Sequence, residues 1–280
     1  MFGKVIAISC GTYHVLAEGA IYKVPARGLF RHKNIKPIVG DNVILDETTF
    51  VIDAIDQRKN VLKRPVISNI DQIFIIVSLR KPLFSYELAF KYLTYINSNN
   101  INAKIILTKT DLVEDKKEIQ EIVNNFHLLG VETHLVSSVT LEGIEQLKEI
   151  CKGKITCLMG QSGSGKSSLI NAIDPNYKRD IGEYSFALGR GKHETKEVIL
   201  LPYNDGFIAD TPGFSSLDLN LSKEDLAKFF PKFNTLYTKC YYSNCLHLTE
   251  NKCAVKEAIE NKEIPEVAYS CYKKLIELSK

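Results

Sequence analysis

Gly160-Gln-Ser-Gly-Ser-Gly-Lys-Ser167 fits the pattern G-x-x-x-x-G-K-[ST], a loop whose backbone N–H groups wrap the phosphates of a nucleotide. Gly160, Gly163 and Gly165 let the backbone approach those phosphates closely. Lys166 is placed to reach the β- and γ-phosphates, which makes it a catalytic candidate, and the Ser167 hydroxyl to hold Mg²⁺. Gln161, Ser162, Ser164 and Ser168 complete the phosphate-binding set. The flanks agree with this reading. Ile155–Met159 is a short apolar run that predicts a buried strand, and Leu169, Ile170 and Ile173 predict an apolar face on a helix from Ser167 to Ile173. That helix would point its positive end at the bound anion.

Working outward, Ile73–Val77 is continuously apolar, as a strand buried on both faces should be. Helix Tyr86–Asn97, strand Ala103–Leu107, helix Lys116–Leu129, strand Val131–Val136 and helix Leu141–Cys151 follow before the loop strand. Such alternation predicts an α/β P-loop domain with a parallel sheet. Thr108-Lys109-Thr110-Asp111 falls at the carboxyl end of one strand, where such sheets bind ligands. The Asp111 carboxylate can accept from the N1–H and 2-amino groups of guanine, a donor pair that adenine lacks, and Lys109 can lay its stem along the purine. Ser137 and Ser138, after the next strand, are placed to back the base with main-chain N–H groups.

Asp210-Thr-Pro-Gly213 closes the strand Gly206–Ala209 and matches D-x-x-G. Asp210 would steady Mg²⁺ and the Gly213 N–H would sense the γ-phosphate. Between the two phosphate motifs, Thr195 is the candidate for a second Mg²⁺ hydroxyl and a catalytic role. Phe214 stands where a water-positioning Gln would be expected; His193 could orient that water, or stand as an exposed loop histidine. A low intrinsic hydrolytic rate follows. The base-reading motifs precede the phosphate motifs, the reverse of the ordinary order, so the domain reads as circularly permuted.

Residues 1–64 contain five short β-type runs punctuated by glycine, which suggests an OB-fold β-barrel. They hold ten Lys/Arg against six Asp/Glu, +4, while the whole 280-residue chain carries +3. Arg27, Arg31, Lys33 and Lys36 surround Phe30, a combination that suits an RNA backbone with one stacked base or simply a solvated loop. Residues 65–217 form the nucleotide domain on this reading, and residues 218–280 a helical, Cys-rich domain. There Cys240-x4-Cys245-x-His247-x5-Cys253 offers three thiolates and an imidazole, a closed tetrahedral set for one structural Zn²⁺. Seven unevenly spread cysteines argue against a disulfide framework, and no stretch reaches the ~18 apolar residues of a membrane helix. A cytoplasmic monomer is the expectation.

Taken together, the permuted order, the three segments, the zinc spacing and the stretches Gly182-Glu-Tyr-Ser185 and Gly189-Arg-Gly-Lys-His193 resemble the ribosome small-subunit-dependent GTPase A family over nearly the whole chain. The resemblance implies binding to the 30S subunit and its 16S rRNA, GTP hydrolysis to GDP stimulated by that subunit, and release afterwards. This chain departs from the family in Thr108, where Asn is usual, and in Glu194, where Thr is frequent. An rRNA-binding assembly factor that uses nucleotide only as a structural ligand is the alternative reading, with a P-loop ATPase or small-molecule kinase third.

Overall fold

The computed structural model describes residues 1–9, 11–28, 30, 35–177, 198–210 and 221–279. Two compact units are built from discontinuous stretches. One takes Met1–Gln72, Gln146–Leu158 and Ile170–Gly213; the other takes Ile73–Glu145, Met159–Leu169 and Phe214–Lys280.

In the first unit, strands β1 (Phe2–Ser9), β2 (Thr12–Ala17), β3 (Ala20–Val24), β4 (Asn42–Leu45) and β5 (Ile52–Ile55) lie in the order β3-β2-β1-β4-β5. Alternate residues point inward, so Val5, Val15, Val24, Val43, Leu45 and Ile52 form the barrel core. The edges meet through a parallel bridge between Ala26 and Ile52. There the Ile52 N–H donates to the Pro25 carbonyl (3.0 Å) and the Arg27 N–H to the Ile52 carbonyl (3.2 Å). That closure removes the exposed strand edges and gives the connectivity of the expected OB barrel.

A hairpin of β6 (Val61–Lys63) and β7 (Val66–Ser68) follows, too short to show a period in the sequence. Asp41 ties it to the barrel. Its fully buried carboxylate accepts from Arg58 Nε and Nη2 (both 2.8 Å), from Ser68 Oγ (2.6 Å) and from the Ile38 N–H (2.8 Å). Four donors on one buried carboxylate satisfy the charge that burial would otherwise leave exposed to a low dielectric.

The same unit holds β11 (Ile155–Met159), β12 (Ile199–Tyr203) and β13 (Gly206–Asp210), in the order β11-β13-β12. β11 and β13 are parallel, as expected. β12 corrects the expectation of an all-parallel sheet, because it pairs antiparallel with β13. Its cause is the two-residue turn Asn204-Asp205, with both φ positive (42° and 60°), a conformation that folds a strand straight back.

In the second unit, β8 (Gln72–Ser78), β9 (Asn102–Thr108) and β10 (Thr133–Val136) are ordered β10-β9-β8, and β9 and β10 are parallel. β8 is buried along its whole length, which explains its unbroken apolar run. Helix α1 (Tyr86–Ser98) is capped by Ser85, whose side chain accepts from the Leu88 N–H (3.3 Å), and α2 (Lys116–Leu128) by Asp115, which accepts from the Lys117 N–H (2.9 Å). Helices α3 (Ile144–Cys151) and α4 (Lys166–Ile173) flank β11 in sequence.

The C-terminal helices are α5 (Lys223–Phe229), α6 (Phe233–Leu236), α7 (Ala254–Glu260) and α8 (Glu266–Leu278). Phe230 sits at their centre. Its ring centroid lies 5.2 Å from Phe90 on α1, 4.8 Å from Phe233 and 5.4 Å from Tyr272 on α8. Lys232 adds a polar staple, donating to the carbonyl of Leu128 (3.1 Å) at the C-terminus of α2, where a cation is favoured, and to that of Glu263 (3.0 Å) between α7 and α8. Because Phe230 is fully buried among rings, Phe230→Ala should lower unfolding free energy by about 3–5 kcal/mol, read as a lower denaturant midpoint, whereas Phe230→Leu should lose less.

Candidate nucleotide and metal sites

β11 delivers the chain into the loop Gly160–Ser167, and α4 carries it away. Gly160 has no alternative. A Cβ there would stand 2.5 Å from the Ile76 carbonyl oxygen on β8. Gly165 has φ +99° and is backed by the Thr108 side chain. Lys166 donates to the loop's own carbonyls, Gly160 (2.6 Å) and Gln161 (3.3 Å), so its ammonium is held at the loop. Gln161 is half-buried, Ser162 and Gly163 are exposed, and Ser167 and Ser168 are exposed at the start of α4. Ser164 is fully buried.

β9 ends at Thr108, and the base-reading segment is tied directly to that loop. Thr108 Oγ1 donates to the Ser164 carbonyl (2.6 Å), and Lys109 Nζ donates to the Gly163 carbonyl (2.8 Å) and to that of Lys81. Lys109 itself has φ 60° and ψ 40°, a left-handed conformation that turns the chain into a 3-10 turn at Thr110–Leu112. The turn exposes Asp111. One of its carboxylate oxygens accepts from Ser137 Oγ (2.6 Å), and Ser137 is fully buried.

Ser137 corrects one expectation. Its N–H donates to the Glu142 carbonyl (3.1 Å), so it cannot also face a base; the hydroxyl, which steadies Asp111, is the part that serves the site. That hydroxyl also accepts from the N–H groups of Val139 (3.2 Å) and Thr140 (3.1 Å), which shapes the turn around Ser138. Glu142 was not foreseen. It adds a contact to Thr110 Oγ1 (3.4 Å), visible only once β9 and β10 are side by side.

Asp210 ends β13, but its side chain lies outside the described residues, as do Gly213 and Phe214. His193, Glu194 and Thr195 lie outside them too, together with Arg31, Lys33 and Cys10. Of the basic loop, Arg27 is committed to Asp46 (3.0 Å) and Asp53 (2.5 Å), and Lys36 is exposed. Phe30 does not stand out as a stacking ring: it is half-buried and packs against the barrel core.

The ligand atoms of Cys240, Cys245, His247 and Cys253 all lie within 4.8 Å of one another. His247 Nδ1 is 3.6 Å from Cys240 Sγ and 3.3 Å from Cys253 Sγ, and the two sulfurs are 4.0 Å apart. Bonds of about 2.3 Å around one tetrahedral ion would space its ligands by about 3.8 Å, so the set has the right size for zinc. The far nitrogen, Nε2, contacts the Ala227 carbonyl (3.1 Å), which fixes the tautomer and leaves Nδ1 with a lone pair toward the thiols.

Burial pushes the Cys245 thiol up to about 12, raises that of Cys253 and lowers that of His247. Burial thus favours the uncharged forms of Cys245, Cys253 and His247. The knuckle is braced from outside. Both Glu250 oxygens accept backbone N–H groups, from Leu246 and Leu248 (2.7 Å each), while the Tyr269 and Tyr272 hydroxyls donate to the carbonyls of His247 (2.8 Å) and Leu246 (2.6 Å).

Comparison with known proteins agrees with this geometry. The family model described as RsgA GTPase matches residues 55–220, and that described as RsgA N-terminal domain matches residues 2–49. The protein named small ribosomal subunit biogenesis GTPase RsgA from Geobacillus kaustophilus is 40% identical over 276 residues, covering 96% of this chain and 94% of its own. That of Clostridium beijerinckii is 38% identical over 281 residues, covering 99% and 97%. Among solved structures, YjeQ from Thermotoga maritima superposes with a TM-score of 0.84 at 34% identity, covering 99% of this chain and 97% of that one. YloQ, described as a circularly permuted GTPase, gives 0.81 at 34% identity, with 99% and 93% covered. With a family model spanning more than half its length, relatives near 40% identity end to end and the permuted fold of YloQ, this chain belongs to the RsgA family of circularly permuted GTPases.

Proposed function

We propose that this GTPase binds the small ribosomal subunit, assists its late maturation and hydrolyses GTP with stimulation by that subunit. Its relatives carry the name small ribosomal subunit biogenesis GTPase. The observation that supports the nucleotide site most directly is the pair of hydrogen bonds from Thr108 and Lys109 onto consecutive carbonyls of the phosphate loop. They hold the base-reading and phosphate-binding segments at a set spacing.

In this reading Asp111, steadied by Ser137, accepts from the guanine N1–H and 2-amino groups, and Lys109 lies along the purine. Ser138 lines the base. Thr108 acts on the loop and reads no base atom, since its hydroxyl proton is given to Ser164. The N–H groups of Gly160 to Ser168 cradle the phosphates, and Lys166 reaches the β- and γ-oxygens. Ser167, Asp210 and Thr195 would hold Mg²⁺, which would neutralise phosphate charge there. Water attacks the γ-phosphorus in line, the bond to the β–γ bridging oxygen breaks, and GDP and phosphate leave; His193 is the side chain for orienting that water.

Residues 1–64 serve as the RNA-binding barrel through Arg31, Lys33 and Lys36, residues 65–217 as the GTPase domain, and residues 218–280 as a helical domain around one Zn²⁺ on Cys240, Cys245, His247 and Cys253. The donor chemistry supports zinc. We place the protein in the cytoplasm as a monomer. No helix among the described residues is long and apolar enough to cross a membrane.

Four measurements test this. GTP hydrolysis should be slow alone and rise at least tenfold on adding purified 30S subunits, with ATP inert; a rate indifferent to 30S would remove the ribosome from the account. Asp111→Asn should weaken GDP binding roughly a hundredfold, since two hydrogen bonds to a charged acceptor are lost, and should move preference toward xanthine nucleotides. Thr108→Val should weaken GDP and GTP alike by about fivefold, the worth of one hydrogen bond, and leave the guanine-to-adenine ratio unchanged. Finally, a strong chelator should release one equivalent of zinc and loosen the C-terminal helices, followed by hydrogen exchange, with barrel protection retained.

A further inference from the structure

The stacking ring expected in the barrel loop is packed inward, yet a pair of outward aromatic rings stands elsewhere, on the Cys–His knuckle. Tyr241 is 68% and Tyr242 47% exposed, and with Ser243 and Asn244 they form a four-residue exposed run. Their rings meet edge to face at 5.0 Å. Two adjacent tyrosines that are both exposed present π-faces on which a base can stack.

The surroundings are cationic. Lys252 Nζ stands 4.9 Å from the Tyr241 ring centroid, and Lys228 Nζ stands 5.7 Å from that of neighbouring Tyr237. Lys239, between Tyr237 and Tyr241 in sequence, is exposed. The acid nearest in sequence, Glu250, is turned inward by its two backbone N–H donors. Positive charge around exposed π-faces complements a polyanion whose bases are unpaired.

The platform is also held in place. The Tyr241 N–H donates to the Lys252 carbonyl (3.2 Å), and the Tyr237 hydroxyl to the Ser243 carbonyl (2.5 Å). Cys240 and Cys245 bracket the pair, so any ion on the cluster would fix both of its ends. A ring fixed before contact loses little entropy on stacking.

We propose that Tyr241 and Tyr242, with Lys239 and Lys252, form a stacking platform for a single-stranded RNA base, a contact separate from the barrel loop. This rests on the ribosomal reading above and names one place where RNA would be held.

The test uses the full chain. Binding of a fluorescein-labelled, mixed-sequence single-stranded RNA 12-mer is followed by anisotropy, and binding to 30S subunits by co-sedimentation. Tyr241→Ala with Tyr242→Ala should weaken RNA and 30S binding roughly tenfold or more, whereas the paired Phe variants should keep both. Lys239→Gln with Lys252→Gln should lower the salt slope by about 0.7 per lysine removed. GDP binding and the circular-dichroism melting curve should be unchanged throughout, which shows that the nucleotide site and the C-terminal helices of each variant are folded.

An Ala pair that binds RNA like the unaltered chain would overturn the proposal. So would loss of 30S binding with RNA affinity intact, since the platform would then meet a protein. If the unaltered chain itself fails to sediment with 30S, the ribosomal reading falls, and this proposal with it.

Discussion

Two side-chain protons hold the nucleotide region together: that of the Thr108 hydroxyl on the Ser164 carbonyl, and one from the Lys109 ammonium on the Gly163 carbonyl. A phosphate loop is rich in glycine and has little side-chain packing of its own to hold its shape. Strand β9 supplies the rigidity instead, because it ends at Thr108 and is buried beyond its first two residues. The same two residues launch the left-handed turn that exposes Asp111. Loop shape and base recognition are therefore consequences of one strand end. An Asn at 108 would offer an amide for the same carbonyl, and Thr serves with a hydroxyl, which explains how this chain keeps the tie without the usual residue.

The C-terminal helices follow a related logic with a different interaction. A small helical segment with short elements buries too little apolar surface to stand by itself. Here Phe230, Phe233 and Tyr272 extend the aromatic core begun by Phe90 and Phe126, and His247 packs its ring edge to face on Phe233 at 5.3 Å. The imidazole thus belongs both to the core and to the cysteine cluster, with its Nε2 fixed by Ala227 of α5. Metal binding and helix packing are coupled through that one ring.

The barrel is organised around a charge. Asp41 is fully buried, yet four donors converge on it, two of them from the forked guanidinium of Arg58. That network joins β7 to the loop leading into β4, so the hairpin beyond the barrel is held by hydrogen bonds to a carboxylate rather than by a long sheet ladder. Lys4 shares this region, with its ammonium against Asn42 Oδ1 at 2.6 Å, and burial there holds it below the ordinary lysine range.

Much was legible in the residues alone. The phosphate loop, the T-K-x-D segment, the permuted order of motifs, the five barrel strands and the Cys–His spacing are local patterns, and each is set by short-range geometry or ligand chemistry. The antiparallel β12 was hidden, although the Asn204-Asp205 turn that causes it was present to be read. Other features depend on residues distant in sequence and so had no local signature: the inward packing of Phe30, the use of the Ser137 hydroxyl in place of its N–H, the convergence on Asp41, and the outward pair Tyr241–Tyr242. An aromatic ring reads the same whether it fills a core or faces water. Which of the two it does is decided by neighbours that only the tertiary fold brings together.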